Sequence, residues 1–188
     1  MLKWILGILA VIILLVAGTC WYGYTKIAGA GDSTTVTVAA TPELVWQYFT
    51  DPDSIAARQD SSATLQFSRD SVLQVGDTIR MISRAPGGRG MAWVLEQREE
   101  PTLLVWAARD DSLGHEVIRR IDSLLPAGDS VRIVSRFSSP LLDSLRANDS
   151  TSGLSGRLMT GAGRMATGGM RLVAEQELIR LKGRIEQH

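Results

Sequence analysis

Trp4 to Thr25 is a run of 22 residues without a charged side chain. A helix rises about 1.5 Å per residue, so this run spans roughly 33 Å, enough for a hydrocarbon core of about 30 Å. Lys3 precedes it and Lys26 follows it. Trp4 stands at one end and Trp21, Tyr22 and Tyr24 at the other, where interface-seeking aromatics belong. The run reads as an uncleaved single-pass anchor over residues 1–26, followed by a Gly/Ala linker over 27–32 and one globular domain over 33–188. A cleaved signal peptide is the second reading, with Ala28-Gly29-Ala30 as the small-x-small site. The apolar run is long for a signal, and that site lies well beyond its end. A lipoprotein anchor at Cys20 is a distant third, because Thr19 stands where a small residue is wanted. Lys3 and the terminal amine outweigh Lys26 followed by Asp32, which tilts the domain towards the exported side of the membrane.

Cys20 is the single cysteine, so the domain holds no disulfide and no zinc-cysteine site. Setting aside Lys3 and Lys26 leaves 18 Lys+Arg against 20 Asp+Glu. A near-neutral balance argues against nucleic acid, which needs a concentrated basic surface. About 155 residues suffice for one core.

Thr34 to Ala39 alternates and is rich in β-branched residues, so it predicts a strand. Thr41 is a plausible N-cap, and Pro42 suits a first helical turn. Leu44, Val45, Tyr48 and Phe49 share one helical face. Asp51-Pro52-Asp53 ends that helix and starts a short one through Ala57. From Ala63 the period changes to two, which predicts strands over Ala63–Arg69, Asp77–Arg84, Met91–Arg98, Leu103–Arg109, His115–Leu124 and Asp129–Ser138. The turn signals between them are short, so the sheet should be mostly antiparallel. Leu141–Ser155 is Ser/Asp-rich and predicts a loop. Helical period returns at Arg157, and Met170, Ala174, Leu178, Leu181 and Ile185 make one stripe. Glycines at 161, 163, 168 and 169 each weaken a helix by about 1 kcal/mol relative to Ala, which predicts a helix firm only from about Met170.

The run Val36-Thr37-Val38-Ala39-Ala40-Thr41-Pro42-Glu43-Leu44-Val45-Trp46-Gln47-Tyr48-Phe49-Thr50-Asp51 resembles the opening of the START-like helix-grip superfamily, also called SRPBCC. Val75-Gly76-Asp77, the Trp93…Glu96…Glu100-Pro101…Leu104-Val105 run and Leu178…Leu181-Lys182…Ile185-Glu186 resemble it too. The likeness extends from about Ser33 to Gln187 and takes in pollen-allergen, lipid-transfer and polyketide cyclase/dehydratase families. It implies an α+β helix-grip fold, in which a seven-stranded, mostly antiparallel sheet curls around a long C-terminal helix. It also implies a cavity between sheet and helix that binds apolar molecules.

Met81 with Ile79, Met91 with Trp93 and Leu95, and Leu104 with Trp106 and Ala108 each share a strand face. Any one of these is what a plain core would show; together they suit an adaptable cavity wall. On the helix Met170, Ala174 and Leu178 join them as candidates. Arg119 alternates with Val117 and Ile121, and if that face is concave it would anchor a ligand head group. Catalytic constellations are mostly absent. His115 sits at a turn and His188 is the last residue; Asp110, Asp111 and His115 could in principle share an oxygen-ligated metal, but acidic turns are usually just solvated. Gly153-Leu154-Ser155-Gly156 is not a G-x-S-x-G elbow, Gly161-Ala162-Gly163 lacks dinucleotide spacing, and Asn148-Asp149-Ser150 is a sequon of a kind common by chance. No cofactor is implied. The expected function is a membrane-tethered binder of a hydrophobic small molecule or lipid. A polyketide cyclase/dehydratase-like enzyme and a scaffold or partner-binding domain are the alternatives.

Overall fold

The computed structural model describes residues 32–59, 63–84, 90–110, 116–140 and 154–187. The anchor, the linker as far as Gly31, Cys20, Asp111, His115, His188 and nearly all of the Leu141–Ser155 loop, with its sequon, lie outside the described residues. Among the described residues no helix is long and apolar enough to cross a membrane.

The elements run β1 (Ser33–Val38), α1 (Pro42–Thr50), α2 (Pro52–Arg58), β2 (Ala63–Phe67), β3 (Thr78–Ser83), β4 (Gly90–Glu99), β5 (Leu103–Asp110), β6 (Glu116–Ala127), β7 (Ser130–Ser138) and α3 (Leu154–Ile185). One antiparallel sheet holds all seven strands in the order β1-β7-β6-β5-β4-β3-β2. The long α3 lies against β1 and β7. This is the α+β helix-grip arrangement that the element order predicts.

The helix entry is built as the sequence suggests. Thr41 Oγ1 accepts from the Leu44 amide at 3.4 Å, with Pro42 in the first turn. Asp51 closes α1, its amide donating to the Gln47 carbonyl at 2.9 Å, and opens α2, its Oδ2 accepting from the amide and hydroxyl of Ser54 at 2.9 and 2.6 Å. One residue thus sets the angle between two helices. Asp51→Ala is expected to cost about 1 kcal/mol, within the range for a lost N-cap, and a thermal melt followed by circular dichroism checks it.

Two turns need glycine. Gly76 has φ +93 and its amide donates to the Leu95 carbonyl at 2.8 Å, while Asp77 Oδ2 accepts from the Gln74 amide at 2.8 Å. Gly128, with φ +63, makes the β6–β7 turn. There the structure corrects the expected boundary: β6 continues through Pro126 and Ala127, which pair with Val131 and Ser130. Ala127 and Ser130 flank the two-residue turn, so ladder alternation directs the Pro126 nitrogen away from β7. On that side β5 has already ended, at the Leu103–Ser123 pair.

A second correction concerns α3. The helix is continuous over 32 residues, through the glycines that were expected to delay it. A Cβ at Gly169 would meet nothing within 4 Å, so close approach to the sheet is not what that glycine provides. Local propensity is a weak term, and tertiary packing sustains helices that propensity alone would not.

Register decides which residues enter the core. Ile79, Leu95, Leu104, Trp106, Leu124, Val131 and Ile133 face inward from the sheet and meet Val45, Trp46 and Phe49 of α1 and Leu178, Leu181 and Ile185 of α3. A register shift between Leu95 and Gln97 puts an extra residue in β4. Leu95 and Arg98 therefore both turn inward although three positions apart. Arg98 lies with its guanidinium 5.6 Å from the Trp46 ring centre. On the outer face Arg119 of β6 reaches Glu96 of β4 at 2.9 Å, across β5, where Ala107 is fully buried.

Candidate functional site

Between the concave sheet face, α2 and α3 lies a cavity of about 120 Å³. Its apolar wall is made by Phe49, Ile55, Leu65, Ile79, Met81, Trp93, Trp106, Phe137, Met170, Val173 and Ala174, and its polar part by Arg58, Gln59, Arg120, Asp122 and Glu177. The apolar side follows from strand alternation. Met81 is inward on β3 beside Ile79, Trp93 on β4, and Trp106 on β5. Met170 and Ala174 come from adjacent turns of α3.

Five predicted residues line this space: Met81, Trp93, Trp106, Met170 and Ala174. Three do not. Met91 packs instead against the cluster of Ala108, Ile118, Phe137 and Ala174. Leu178 is fully buried in the main core, one turn further along the same stripe than Ala174. Arg119 is on the outer face, where its Nε and Nη2 donate to Glu116 at 2.9 and 3.0 Å and Nη2 also to Glu96 at 2.9 Å. The hydrogen bond to Glu116, with the charges of Glu116 and Glu96, outweighs burial and raises its pKa. It is therefore a surface ion pair and not a head-group anchor in the cavity.

The inward arginine is its neighbour. Ile118, Arg120, Asp122 and Leu124 occupy the concave phase of β6, opposite Phe137, Ser135 and Ile133 of β7. Shifting phase by one residue exchanges the two faces, and β6 has apolar residues in both phases. Glu177 carried a readable signal: Met170, Ala174, Glu177 and Leu181 recur at helical spacing, which puts a carboxylate inside the apolar stripe.

The four charges form one network. Arg120 Nε donates to Asp122 Oδ1 at 2.9 Å and its Nη1 to Glu177 Oε2 at 2.8 Å. Ser135 Oγ donates to the same Asp122 oxygen. Arg58 Nη1 stands 3.5 Å from Glu177 Oε1. Arg58 is held by its own helix end: Arg184 Nη2 donates to the Ala57 carbonyl at 2.6 Å and Arg180 Nη1 to the Arg58 carbonyl at 3.2 Å. Both carbonyls belong to the last turn of α2, which has no backbone donors of its own to satisfy them. Phe49 lies beneath the Arg58 guanidinium, 5.1 Å away, and Phe137 beneath that of Arg120, 5.8 Å away.

Burial and pairing pull these groups apart. Burial raises the Asp122 carboxyl above its ordinary value, and Arg120 and Ser135 only partly oppose it. Burial acts the same way on Glu177, but Arg120 and Arg58 overcome it and hold that carboxyl low. Burial lowers Arg58, with Glu177 in partial compensation, whereas Asp122 and Glu177 outweigh burial at Arg120 and raise it. Among the described residues no group of three or more His, Cys, Asp or Glu is placed to hold a metal ion.

The sheet and the long helix that encloses it have counterparts in solved structures. A solution structure of a protein from Arthrobacter aurescens superimposes with a TM-score of 0.55 at 17% identity, covering 86% of this chain and 89% of that one. A crystal structure of a protein from Rhodobacter sphaeroides gives a TM-score of 0.52 at 18% identity, over 84% and 94%. At such identities the likeness is one of fold. No curated protein sequence matches the chain. The model of the family described as polyketide cyclase / dehydrase and lipid transport matches residues 33–186, and the chain belongs to that family.

Proposed function

We propose that this chain is a membrane-tethered domain that takes a hydrophobic small molecule, or one end of a lipid, into the cavity between sheet and α3. The observation that carries the reading is the apolar wall of Met81, Trp93, Trp106 and Met170 around open space. The family's description includes lipid transport, which supports it. A cavity of about 120 Å³ admits a single ring or a short chain. An engineered apolar cavity of about 150 Å³ binds benzene. Residues 1–26 are proposed as the anchor, 27–32 as the linker and 33–188 as the exported domain, so the cavity would stand beside a reservoir of apolar molecules.

The test uses the full chain in lipid nanodiscs. Fluorine NMR of 4-fluorotoluene should show a bound signal for the wild type. Ala174→Phe fills the cavity from α3 and should weaken binding at least tenfold while the circular dichroism spectrum is retained. Equal uptake by both would sink the reading. Terminal sequencing of membrane-extracted protein tests the tether, and a start at Gly31 would remove it.

The pair Asp122 and Glu177 favours a second reading, an acid–base enzyme of the cyclase or dehydratase type. Two carboxylates in one pocket with pKa values pushed in opposite directions are the usual arrangement for such work. Against it, each carboxylate is already engaged by guanidinium groups. Dehydration of a small β-hydroxyketone, lost in both Asp122→Asn and Glu177→Gln, would establish the enzyme; no turnover by the wild type would remove it.

A further inference from the structure

The cavity has its mouth on α3. Val173 lines the cavity, yet 64% of it is exposed, more than any other large apolar residue among the described residues. Leu172 and Ile179 are exposed on the same helix. At helical spacing Leu172, Gln176, Ile179 and Gly183 follow one another on the side of α3 opposite the buried Ala174, Leu178, Leu181 and Ile185. This strip is about 16 Å long and none of its four residues is charged. Val173, Arg180 and Arg184 flank it towards α2, where the arginines donate to the Arg58 and Ala57 carbonyls. Glu175 and Glu186 flank it on the other side, paired with Arg171 and Lys182. An apolar strip left bare in this way marks an interaction surface.

Where the chain enters the domain indicates what covers the strip. The Asp32 carbonyl accepts from the Phe137 amide at 2.7 Å, and Phe137 packs in one cluster with Ala174 and Met170. At the other end of β1 the Ala39 amide donates to Glu186 Oε1 at 3.2 Å. β1 and α3 therefore run side by side in one direction, and the chain enters the domain level with Val173. Only residues 27–31 separate Asp32 from Lys26, so the end of the apolar run is at most about 20 Å away. The other exposed large apolar residues are Leu44, Val72, Val75 and Leu125. They stand at the start of α1, between β2 and β3 and beside the β6–β7 turn, at the end of the sheet where β1 finishes. A bilayer holding the anchor is thus on the side of the α3 strip. An apolar helix face flanked by arginine is the pattern of helices that lie among anionic headgroups.

We propose that the Leu172–Gly183 face of α3 docks on the anionic bilayer that holds the anchor and turns the cavity mouth at Val173 to the lipid. This rests on the tethered-binder reading above and adds the route of the ligand, which passes between bilayer and cavity without crossing bulk water.

The experiment places nitroxide labels on the full chain, one copy per nanodisc, in phosphatidylcholine with and without phosphatidylglycerol. Cys20, the single cysteine, carries the label that reports on the anchor. In a Cys20→Ala background, Leu172→Cys and Ile179→Cys label the strip and Val75→Cys is the distant control. All three positions are exposed, so the fold should be kept, and circular dichroism checks it. Gln176→Cys replaces either strip variant that fails to fold. Power saturation with oxygen and a nickel chelate reads the depth of each label. With phosphatidylglycerol the strip labels should lie about 5–10 Å below the headgroup boundary, the depth of an interfacial helix, and the Val75 label should lie in water. Without it the strip labels should move towards water.

Strip labels as aqueous as the Val75 label, with the Cys20 label immersed, would overturn the docking and leave the anchor standing. An aqueous Cys20 label would remove the anchor, and this inference with it. Equal depth in the two lipids would overturn the choice of an anionic surface. Protection that appears only with two copies per disc, with dipolar broadening between their strip labels, would assign the face to a second copy of this chain instead. Immersed strip labels on a chain that takes up no 4-fluorotoluene would keep the docking and sink the ligand route.

Discussion

Leu181→Asp is expected to leave the domain unfolded at 25 °C. Leu181 and its neighbour on the stripe, Leu178, are both fully buried where α3 meets the sheet. Truncating such a leucine to alanine costs about 2–5 kcal/mol, through lost transfer energy and the void left behind. Aspartate adds an ionised group with no counter-charge among Val38, Leu124 and Ile133, the apolar residues of the same cluster. Domains of this size have a stability of about 5–15 kcal/mol in all, so the combined loss consumes most of it. Leu178→Ala is the graded control, expected to fold and melt lower by several degrees. Native melting of Leu181→Asp would mean that α3 is not docked as the structure places it.

Glu177→Gln should be the most damaging change among the charged residues. It removes the carboxylate shared by Arg58 and Arg120 and leaves two buried guanidinium groups facing Asp122 alone. Breaking a buried pair costs about 3–5 kcal/mol. Glu177 keeps 23% of its side chain exposed, so the loss should fall near the lower end of that range. Asp122→Asn should cost less. Its amide oxygen can still accept from Arg120 and Ser135, and burial of an ionised group is relieved. The pH dependence separates the two residues by sign. Glu177 is held low in the folded chain, so its contribution is complete above the ordinary glutamate range and is lost as pH falls through the depressed folded value. Asp122 is raised, so its contribution is complete below the ordinary aspartate range and is lost as pH rises through the folded value. Denaturant melts across the acid range should therefore show Glu177→Gln abolishing an acid-side loss and Asp122→Asn abolishing an acid-side gain. Matching profiles for both variants would contradict the split.

The fold was legible because its signals are local and periodic. The Thr41-Pro42 entry, the double role of Asp51 and the alternation around Trp93 and Trp106 each state their structure within a few residues. The apolar half of the cavity followed from the same alternation. Its charged half did not, and the reason is register. Arg119 and Arg120 are adjacent, and both phases of β6 carry isoleucine, so only pairing with β5 and β7 decides which arginine turns inward. Arg58 was hidden differently. Its role depends on Arg180 and Arg184, more than 120 positions later, fastening the end of α2. No window on the sequence contains that contact. Leu73 was missed for a related cause: it lies between strands, yet its amide donates to the Thr50 carbonyl and its side chain is fully buried.

The strand order also shapes the route by which the chain reaches this structure. β2 through β7 are joined to their sequence neighbours, so each of those pairings closes a short loop. β1 is the exception, because its partner is β7, with Ser33 opposite Arg136. About 100 residues must be gathered before that ladder can form. Closing so long a loop is slow, and contacts of high sequence separation are the ones that delay folding. During synthesis β1 therefore emerges before the other strands and waits with both edges unpaired until β7, the last strand in the chain order, is made. Its composition suits that interval: Thr34, Thr35 and Thr37 keep the strand polar enough to stay solvated before it is paired, and Val36 and Val38 are its only apolar residues.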